Sequence, residues 1–257
     1  MTEKLLQSKE VLAKIREEEN ILLFLDYDGT LAPFHDDPGQ AVPLPEIPSL
    51  LEGLAVKRGY VVSLISGRSL EDLQSMITVE GANYAGSHGL EIELADGSTL
   101  DWAGEADLDF AVLEESKSWF RDTYAEKEGF RLEDKGLVVT FHLPAAESPD
   151  NLAVKLEKLA GSEFQTLKGR QIVEVRPRGW NKGRAVEYIC DYLEDRMGLK
   201  DYLPLYIGDD TTDEDAFRVL EGWGICVYVR NGEKRPTVAG YHLGTPREVK
   251  KFLARLV

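Results

Sequence analysis

Residues 21–34 read ILLFLDYDGTLAPF, an apolar run that ends abruptly in Asp26 and Asp28, separated by Tyr27 and followed by Gly29 and Thr30. In an extended chain, residues two apart project to the same face, so both carboxylates can line one cleft while Tyr27 points away. Two aspartates in a tight turn often do no more than cap it. Whether they do chemistry depends on what the other strand ends bring.

Three further segments bring a great deal. VVSLISGRS ends a second apolar run at Ser66, followed by Gly67 and Arg68, with a helix predicted to start near Ser69. A hydroxyl beside free backbone amides suits a phosphate group, although Ser66 and Ser69 could also serve as plain helix caps. RPRGWNKGRAVEYI puts Lys182 at the start of an amphipathic helix. The helix dipole disfavours a cation there, and an anion in the cleft would supply the reason. PLYIGDDTTDEDAF repeats the opening device, with Asp209 and Asp210 after an apolar run and Asp213, Glu214 and Asp215 close behind. Acids packed this densely, beside two more from the first strand, repel one another unless a cation intervenes. Oxygen-only ligands at strand ends suit magnesium, which takes few protein carboxylates and keeps several waters. Some of these acids must instead cap the helix near Asp213.

A carboxylate nucleophile, a neighbouring acid, a hydroxyl, a lysine and an acidic metal cradle together fit hydrolysis of a phosphate ester. The phosphoryl group repels an attacking anion, and such reactions demand accelerations of up to about 10²¹-fold. Magnesium and Lys182 would neutralise the phosphoryl oxygens. Asp26 would attack in line to form an aspartyl phosphate. Asp28 would protonate the departing alcohol and then activate the water that cleaves the intermediate.

These residues need a scaffold that brings distant strand ends together. The runs ILLFLD, YVVSLIS, NYAGSHG, PLYIGDD and GICVYV are apolar without alternation, and helical stretches separate them. That pattern predicts strands buried on both faces, in a doubly wound, Rossmann-like parallel sheet with right-handed crossovers. Ligands in such sheets sit beyond the carboxyl ends of the strands, where Asp26, Ser66, His88 and Asp209 fall. Residues 3–19 read as one amphipathic helix, with Leu5, Leu12 and Ile15 on a shared face.

The middle of the chain breaks the alternation. A charged helix is predicted from Ala106 to Lys127, then strands FRLED and GLVVTFHL joined at Lys135 and Gly136. A helix at PDNLAVKLEKLA follows, then strands EFQTLK and QIVEVRP joined at Gly169. This α+β (αββαββ) block reads as an inserted cap domain over 104–178, dividing the core into 1–103 and 179–257.

Of the chain's 257 residues, 43% are hydrophobic, enough to build a large core. Lys and Arg total 30 against 46 Asp and Glu, a formal net charge of −16. Such an acidic surface argues against nucleic acid and anionic membranes as partners. Cys190 and Cys226 are too few for a disulfide framework and are expected to be buried free thiols in a reducing cytoplasm. The N-terminal residues lack the apolar stretch of a signal peptide, and no run approaches a membrane span. Nothing in the sequence specifies a second subunit, and a monomer is the working expectation.

In chain order, DYDGTL, SLISGR, the lysine of NKG and GDDTTDE resemble the four motifs of the haloacid dehalogenase-like phosphatases, over nearly the whole length. More narrowly, ISGRS, GSHGLEI, VEVRPRGWNKG and GDDTTDEDAF resemble the trehalose-6-phosphate phosphatase family. The resemblance implies that Asp26 is the nucleophile and Asp28 the general acid and base. It implies that magnesium is held by Asp26, the main-chain carbonyl of Asp28, and Asp209. Ser66 and Lys182 would bind phosphate, Thr30 would position Asp28, and Asp213 would orient Lys182 or a metal-bound water, beside Asp210.

The core motifs leave the alcohol unspecified, and the cap is expected to choose it by closing over the core. A neutral sugar offers hydroxyls, which charged and amide side chains bind in pairs. Candidates are Lys135, His142, Glu174, Arg176, Arg178 and Asn181, the last four within the basic stretch GRQIVEVRPRGWNKGR that also holds Arg170 and Arg184. The family resemblance points to Lys135, Glu174 and Arg178. His88 and Arg68 are further candidate substrate contacts, though Arg68 could equally pair with Glu71 or Asp72. Competing readings are a phosphatase for another sugar phosphate, such as sucrose phosphate or a glycosyl phosphoglycerate, and a phospho-acceptor module. Asp28 and the cap argue against the last.

Overall fold

Strands that lie inside a sheet covered on both faces have no solvent side, so their sequences need not alternate. The computed structural model describes residues 2–35, 37–101, 108–169 and 171–257. Its strands, in chain order, begin with β1 (Glu3–Lys4), β2 (Ile21–Leu25), β3 (Tyr60–Ile65), β4 (Asn83–Gly86), β5 (Glu91–Glu93) and β6 (Thr99–Asp101). Then come β7 (Arg131–Asp134), β8 (Val139–His142), β9 (Phe164–Gly169) and β10 (Ile172–Pro177), followed by β11 (Leu203–Gly208), β12 (Ile225–Val229) and β13 (Tyr241–Leu243). The helices used below are α1 (Lys9–Glu17), α2 (Ile47–Ala55), α3 (Leu70–Met76), α4 (Ala111–Tyr124), α5 (Pro149–Ala160), α6 (Lys182–Met197), α7 (Asp213–Val219) and α8 (Pro246–Leu253). The chain divides into two compact units, Met1–Leu100 with Asn181–Val257, and Asp101–Trp180.

The first unit is built on a sheet of order β1-β13-β12-β11-β2-β3-β4-β5-β6, parallel from β1 through β4. Every residue of β2, β11 and β12 is buried, which is why these runs carry no polar alternation. After the edge strand β1, the chain enters the centre as β2, winds outward through β3 and β4, and later returns on the other side of β2 as β11, β12 and β13. The winding therefore reverses between β2 and β11. In an open α/β sheet that switch point is where the crevice beyond the strand ends opens.

One local expectation meets competition from the sheet, and two short strands at its edge carry no sequence signal. The helix predicted over residues 3–19 is cut at its start, because Glu3 and Lys4 pair with Tyr241 and His242. α1 begins only at Lys9, after an extended Ser8. Edge pairing there outweighs helical periodicity, although Leu5 and Ile15 still reach the core. β5 runs antiparallel to β4, and β6 follows it at the edge. Each spans three residues, too short for any periodicity to show in the sequence.

The second unit is an antiparallel sheet of order β7-β8-β10-β9, packed on α4 and α5. α4 begins at Ala111; residues 106 and 107 of the predicted helix, the 103/104 boundary and Arg170 lie outside the described residues. One sheet face supplies Val139, Phe141, Val173 and Val175 to an apolar core with Leu113, Phe120, Leu152 and Leu156 from the helices. By the alternation of a strand, the opposite face carries Glu133, Thr140, His142, Glu174 and Arg176.

Both cysteines are buried free thiols, which burial pushes up to about 12. Among the described residues, no helix is long and apolar enough to cross a membrane.

Candidate active site

Asp26 follows β2 directly, and its backbone N–H continues the ladder to Ile207 O at 2.9 Å. The chain then turns back on itself, with Gly29 N donating to Ala32 O at 2.8 Å. Tyr27 points away from the cleft, fully buried, its hydroxyl donating to Ala41 O at 2.8 Å. Gly29 has φ +76°, and a Cβ built there would lie 1.9 Å from Asp209 Oδ2. The glycine is thus what lets the carboxylate at the end of β11 approach the loop after β2. Gly29→Ala combines left-handed strain with overpacking and is expected to lower stability by about 2–5 kcal/mol in urea unfolding. An unchanged midpoint would mean that Asp209 has room to move.

Asp26 is almost fully buried at 4% exposure, and both its oxygens are held. Lys182 Nζ donates to Oδ1 at 2.6 Å, and the Thr30 hydroxyl donates to Oδ2 at 3.1 Å. Thr30, expected beside Asp28, therefore serves Asp26 instead. Its place one turn after Asp26 puts the hydroxyl under that carboxylate, while Asp28 is held from another strand.

Lys182 is the first residue of α6 and only 2% exposed. Its ammonium also donates to Asp213 Oδ1 at 2.7 Å. Burial works against its charge, but Asp213 and Asp26 more than offset this and hold its pKa above the ordinary lysine range. Asp213 has no exposure and no spare oxygen. Besides Lys182, the Tyr206 hydroxyl donates to Oδ1 at 2.8 Å and Asp210 N donates to Oδ2 at 2.8 Å.

Asp26, Asp209 and Asp213 each bring a carboxylate oxygen within 4.8 Å of the others. Asp213 already accepts from Lys182, Tyr206 and the Asp210 amide, more donors than Asp26 or Asp209 carries, which leaves Asp26 and Asp209 as the pair more open to a cation. Burial pushes the Asp26 carboxyl up to about 7 against the pull of Lys182, with Asp213 adding to the rise. Burial, then the charges of Asp26, Asp213 and Asp210, hold Asp209 well above the carboxylate range. Two acids displaced in this way at one spot are poorly compensated by a single lysine. An all-oxygen pair with that deficit fits a hard divalent cation. Asp210 is exposed, and its carboxylate accepts from the hydroxyls of Thr211 and Thr212.

The second strand end is equally specific. Ser66 is buried, its Oγ accepting Arg68 N at 3.1 Å and its carbonyl accepting His88 N at 2.8 Å. Ser69, not Ser66, caps α3 by accepting Asp72 N at 3.2 Å, while the Ser66 oxygen accepts from Arg68 N. His88 has φ +60° and lies on Gly67, where a Cβ would come within 2.7 Å of the ring. Arg68 clamps Asp28 through two parallel bonds, Nε to Oδ2 at 2.7 Å and Nη2 to Oδ1 at 2.8 Å. It also reaches Asp72 Oδ2 and Pro38 O, each at 2.7 Å. Arg68, expected as a substrate contact with Asp72 as an alternative partner, is committed to both carboxylates.

In the second unit, Glu174 is buried, and its Oε1 accepts from Lys135 Nζ at 3.1 Å and from the Thr140 hydroxyl at 2.9 Å. His142 pairs with Glu133 at 2.8 Å on the same face. Arg178 is engaged elsewhere, donating to Ser162 O at 3.0 Å, Phe164 O at 2.8 Å and Glu157 Oε1 at 3.1 Å. Two residues along β10 from Glu174, it is the buried Arg176 that shares its face, and the strand ends at Pro177, before Arg178. Asn181 caps α6, its Oδ1 accepting Arg184 N at 3.0 Å. Arg184 is exposed and pairs with Glu187.

Tyr206 and Arg235 are among the positions that escaped sequence reasoning. Tyr206 reads as one more apolar residue of β11, and nothing local marks its hydroxyl as a support for Asp213. Arg235 lies in a loop far along the chain, yet it donates to Glu214 at 2.5 Å and to Asp210 O at 2.6 Å and stacks on Tyr228 at 4.4 Å. It fastens the acidic turn from the outside.

Comparison with known proteins converges on one family. The family described as trehalose-phosphatase matches residues 24–245. A trehalose-phosphate phosphatase of Mycobacterium marinum is 34% identical over 240 residues, covering 91% of this chain and 60% of that protein. A probable trehalose-phosphate phosphatase C of Arabidopsis thaliana is 32% identical over 264 residues, covering 96% and 80%. The chain therefore spans less than two thirds of the mycobacterial relative. Among solved structures, the C-terminal domain of the C. albicans trehalose-6-phosphate phosphatase superposes with a TM-score of 0.81 at 25% identity, covering 100% of this chain and 98% of that one.

Proposed function

This chain belongs to the trehalose-phosphatase family, and on that premise we propose that it hydrolyses trehalose 6-phosphate to trehalose and inorganic phosphate with the help of magnesium. The observation that carries the reading is the meeting of Asp26, Lys182 and Asp209 at the switch point of the sheet.

In this reading an oxygen of Asp26 attacks phosphorus in line, the ester bond to the sugar oxygen breaks, and an aspartyl phosphate forms. Asp28 gives its proton to the departing sugar oxygen. It then takes a proton from water, whose oxygen attacks phosphorus and returns Asp26 as a carboxylate. The fork of Arg68 fixes where the Asp28 carboxylate stands and leaves one lone-pair site on each oxygen for these transfers. Lys182 and the Ser66 hydroxyl donate to the phosphoryl oxygens, and Thr30 holds the nucleophile's second oxygen in register. Magnesium, when held by Asp26, Asp209 and the main-chain carbonyl of Asp28, neutralises charge that would otherwise repel the phosphate.

We assign sugar recognition to the polar face of the second unit, where Glu174, Lys135 and Arg176 offer paired acceptors and donors to hydroxyls. His88 and Asn181, whose amide nitrogen is not used in its cap, are further proposed substrate contacts, both in the first unit. Two buried free thiols suit a reducing cytoplasm.

Phosphate release measured across a panel of sugar phosphates tests the reading. Trehalose 6-phosphate is expected to be preferred over sucrose 6-phosphate and glucose 6-phosphate by about 10²-fold or more in kcat/KM. EDTA is expected to stop turnover, and added magnesium to restore it. Equal or better turnover of another sugar phosphate overturns the substrate assignment. Full activity after chelation overturns the metal.

A further inference from the structure

β12 lies beside β11 in the sheet and ends at Val229. Past its end the pairing with the neighbouring strand continues, Arg230 N donating to Leu243 O and Asn231 N to Gly244 O, each at 3.0 Å. This places Asn231 firmly, in a left-handed conformation with φ +49°. A non-glycine residue in that region is uncommon, though asparagine tolerates it better than most.

The side chain explains the conformation. Asn231 Nδ2 donates to Gly29 O at 2.8 Å and to Asp209 Oδ2 at 2.9 Å. The Gly29 carbonyl is an acceptor only, so the amide must present its nitrogen there, and with Asp209 Oδ2 accepting as well both hydrogens are spent. One side chain thus ties the loop after β2 to the acid at the end of β11, from a third strand end. It also divides the two oxygens of Asp209. Oδ2 is taken by the amide and pressed against Gly29, whereas Oδ1 accepts no hydrogen bond from the described residues.

We infer that Asn231 is a positioning residue for the divalent cation, reserving Oδ2 of Asp209 so that Oδ1 faces the metal and holding the two acidic strand ends at a fixed separation. The inference rests on the proposed cation site at Asp26 and Asp209. Asp209 then acts as a one-oxygen ligand, and the amide partly neutralises a carboxylate that its acidic neighbours would otherwise drive away.

Manganese binding to the full chain, followed by electron paramagnetic resonance, tests this apart from catalysis. Asn231→Gly removes the amide while keeping the backbone conformation free of strain; Asn231→Ala removes it and adds strain. Both variants are expected to bind manganese about 10–100-fold more weakly than the wild type, as loss of a ligand-orienting partner does. At saturating magnesium, KM for the sugar phosphate is expected to stay at the wild-type value. Equal manganese affinity in Asn231→Gly and wild type overturns the inference. So does a loss confined to Asn231→Ala, which would give the residue a backbone role alone. Failure of the wild type to bind manganese overturns the cation site itself.

Discussion

Asp26→Asn is expected to abolish turnover of trehalose 6-phosphate, with kcat falling by about 10⁴–10⁶-fold, while the metal-free protein becomes more stable at pH 8. The first effect follows from replacing a nucleophile with an isosteric amide, a change on the scale seen when a covalent catalyst is removed. The second follows from burial, which pushes the Asp26 carboxyl from its ordinary 3.8 up to about 7. Between about pH 4 and pH 7 the native protein holds a proton that the unfolded chain has released. Stability from this group is therefore largest at the acidic end and is lost as pH rises towards 7. The difference between the two melting curves reports Asp26 together with the shifts its charge imposes on Asp209 and Lys182.

In EDTA the wild type should lose melting temperature from pH 5.5 to pH 7.5 relative to Asp26→Asn, and the gap should close or reverse when magnesium is added. Undiminished hydrolysis by the variant would exclude attack by Asp26. Parallel melting curves would exclude the raised carboxyl. An enzyme built this way gives up stability at the site where it needs charge.

Lys182→Met is expected to lower stability by about 3–5 kcal/mol in the metal-free protein, the usual consequence of stripping one partner from a buried ion pair. Lys182 sits between Asp26 and Asp213 at 2.6 and 2.7 Å, with side-chain exposures of 3% for the lysine and 6% and 0% for the acids. Methionine fills the volume but leaves those carboxylates, and Asp209 beyond them, without a cation. Part of the loss should return when magnesium is added or the pH is lowered, since either relieves the same repulsion.

Activity of Lys182→Met should fall by about 10³-fold or more even at saturating magnesium, because a positioned cation on the phosphoryl group is lost. Lys182→Arg is no remedy, since a planar fork does not fit a nearly closed cavity made for one ammonium. Urea unfolding with and without magnesium measures the first effect and phosphate release the second. A variant as stable as wild type in EDTA would show that the three acids do not depend on the lysine.

Much of this site could be read from residue order. Asp26 and Asp209 stand out because each follows an apolar run, and buried strands in a parallel sheet announce themselves without alternation. Lys182 stands out because it occupies a helix start where the dipole disfavours it. The inserted αββαββ block was legible from its broken alternation and its turn residues at Lys135 and Gly136. Where short range gave two answers, it failed. Residues 3–19 satisfy a helical period, but edge pairing with Tyr241 and His242 takes the first two for a strand.

The partners of the acids were beyond reach. Thr30 serves Asp26 rather than Asp28, Arg68 clamps Asp28, Tyr206 braces Asp213 and Asn231 divides the oxygens of Asp209. Arg178 turns to Glu157 and two carbonyls, and Arg176 takes the face it was expected to share.

By itself, then, the sequence determined which residues could react and which local element each would end or begin. Those properties depend on neighbours within about one helical turn or along one strand. Only the tertiary structure decided which donor meets which oxygen. Such meetings join residues far apart in the chain, across strand ends whose spacing is set by the order of the whole sheet.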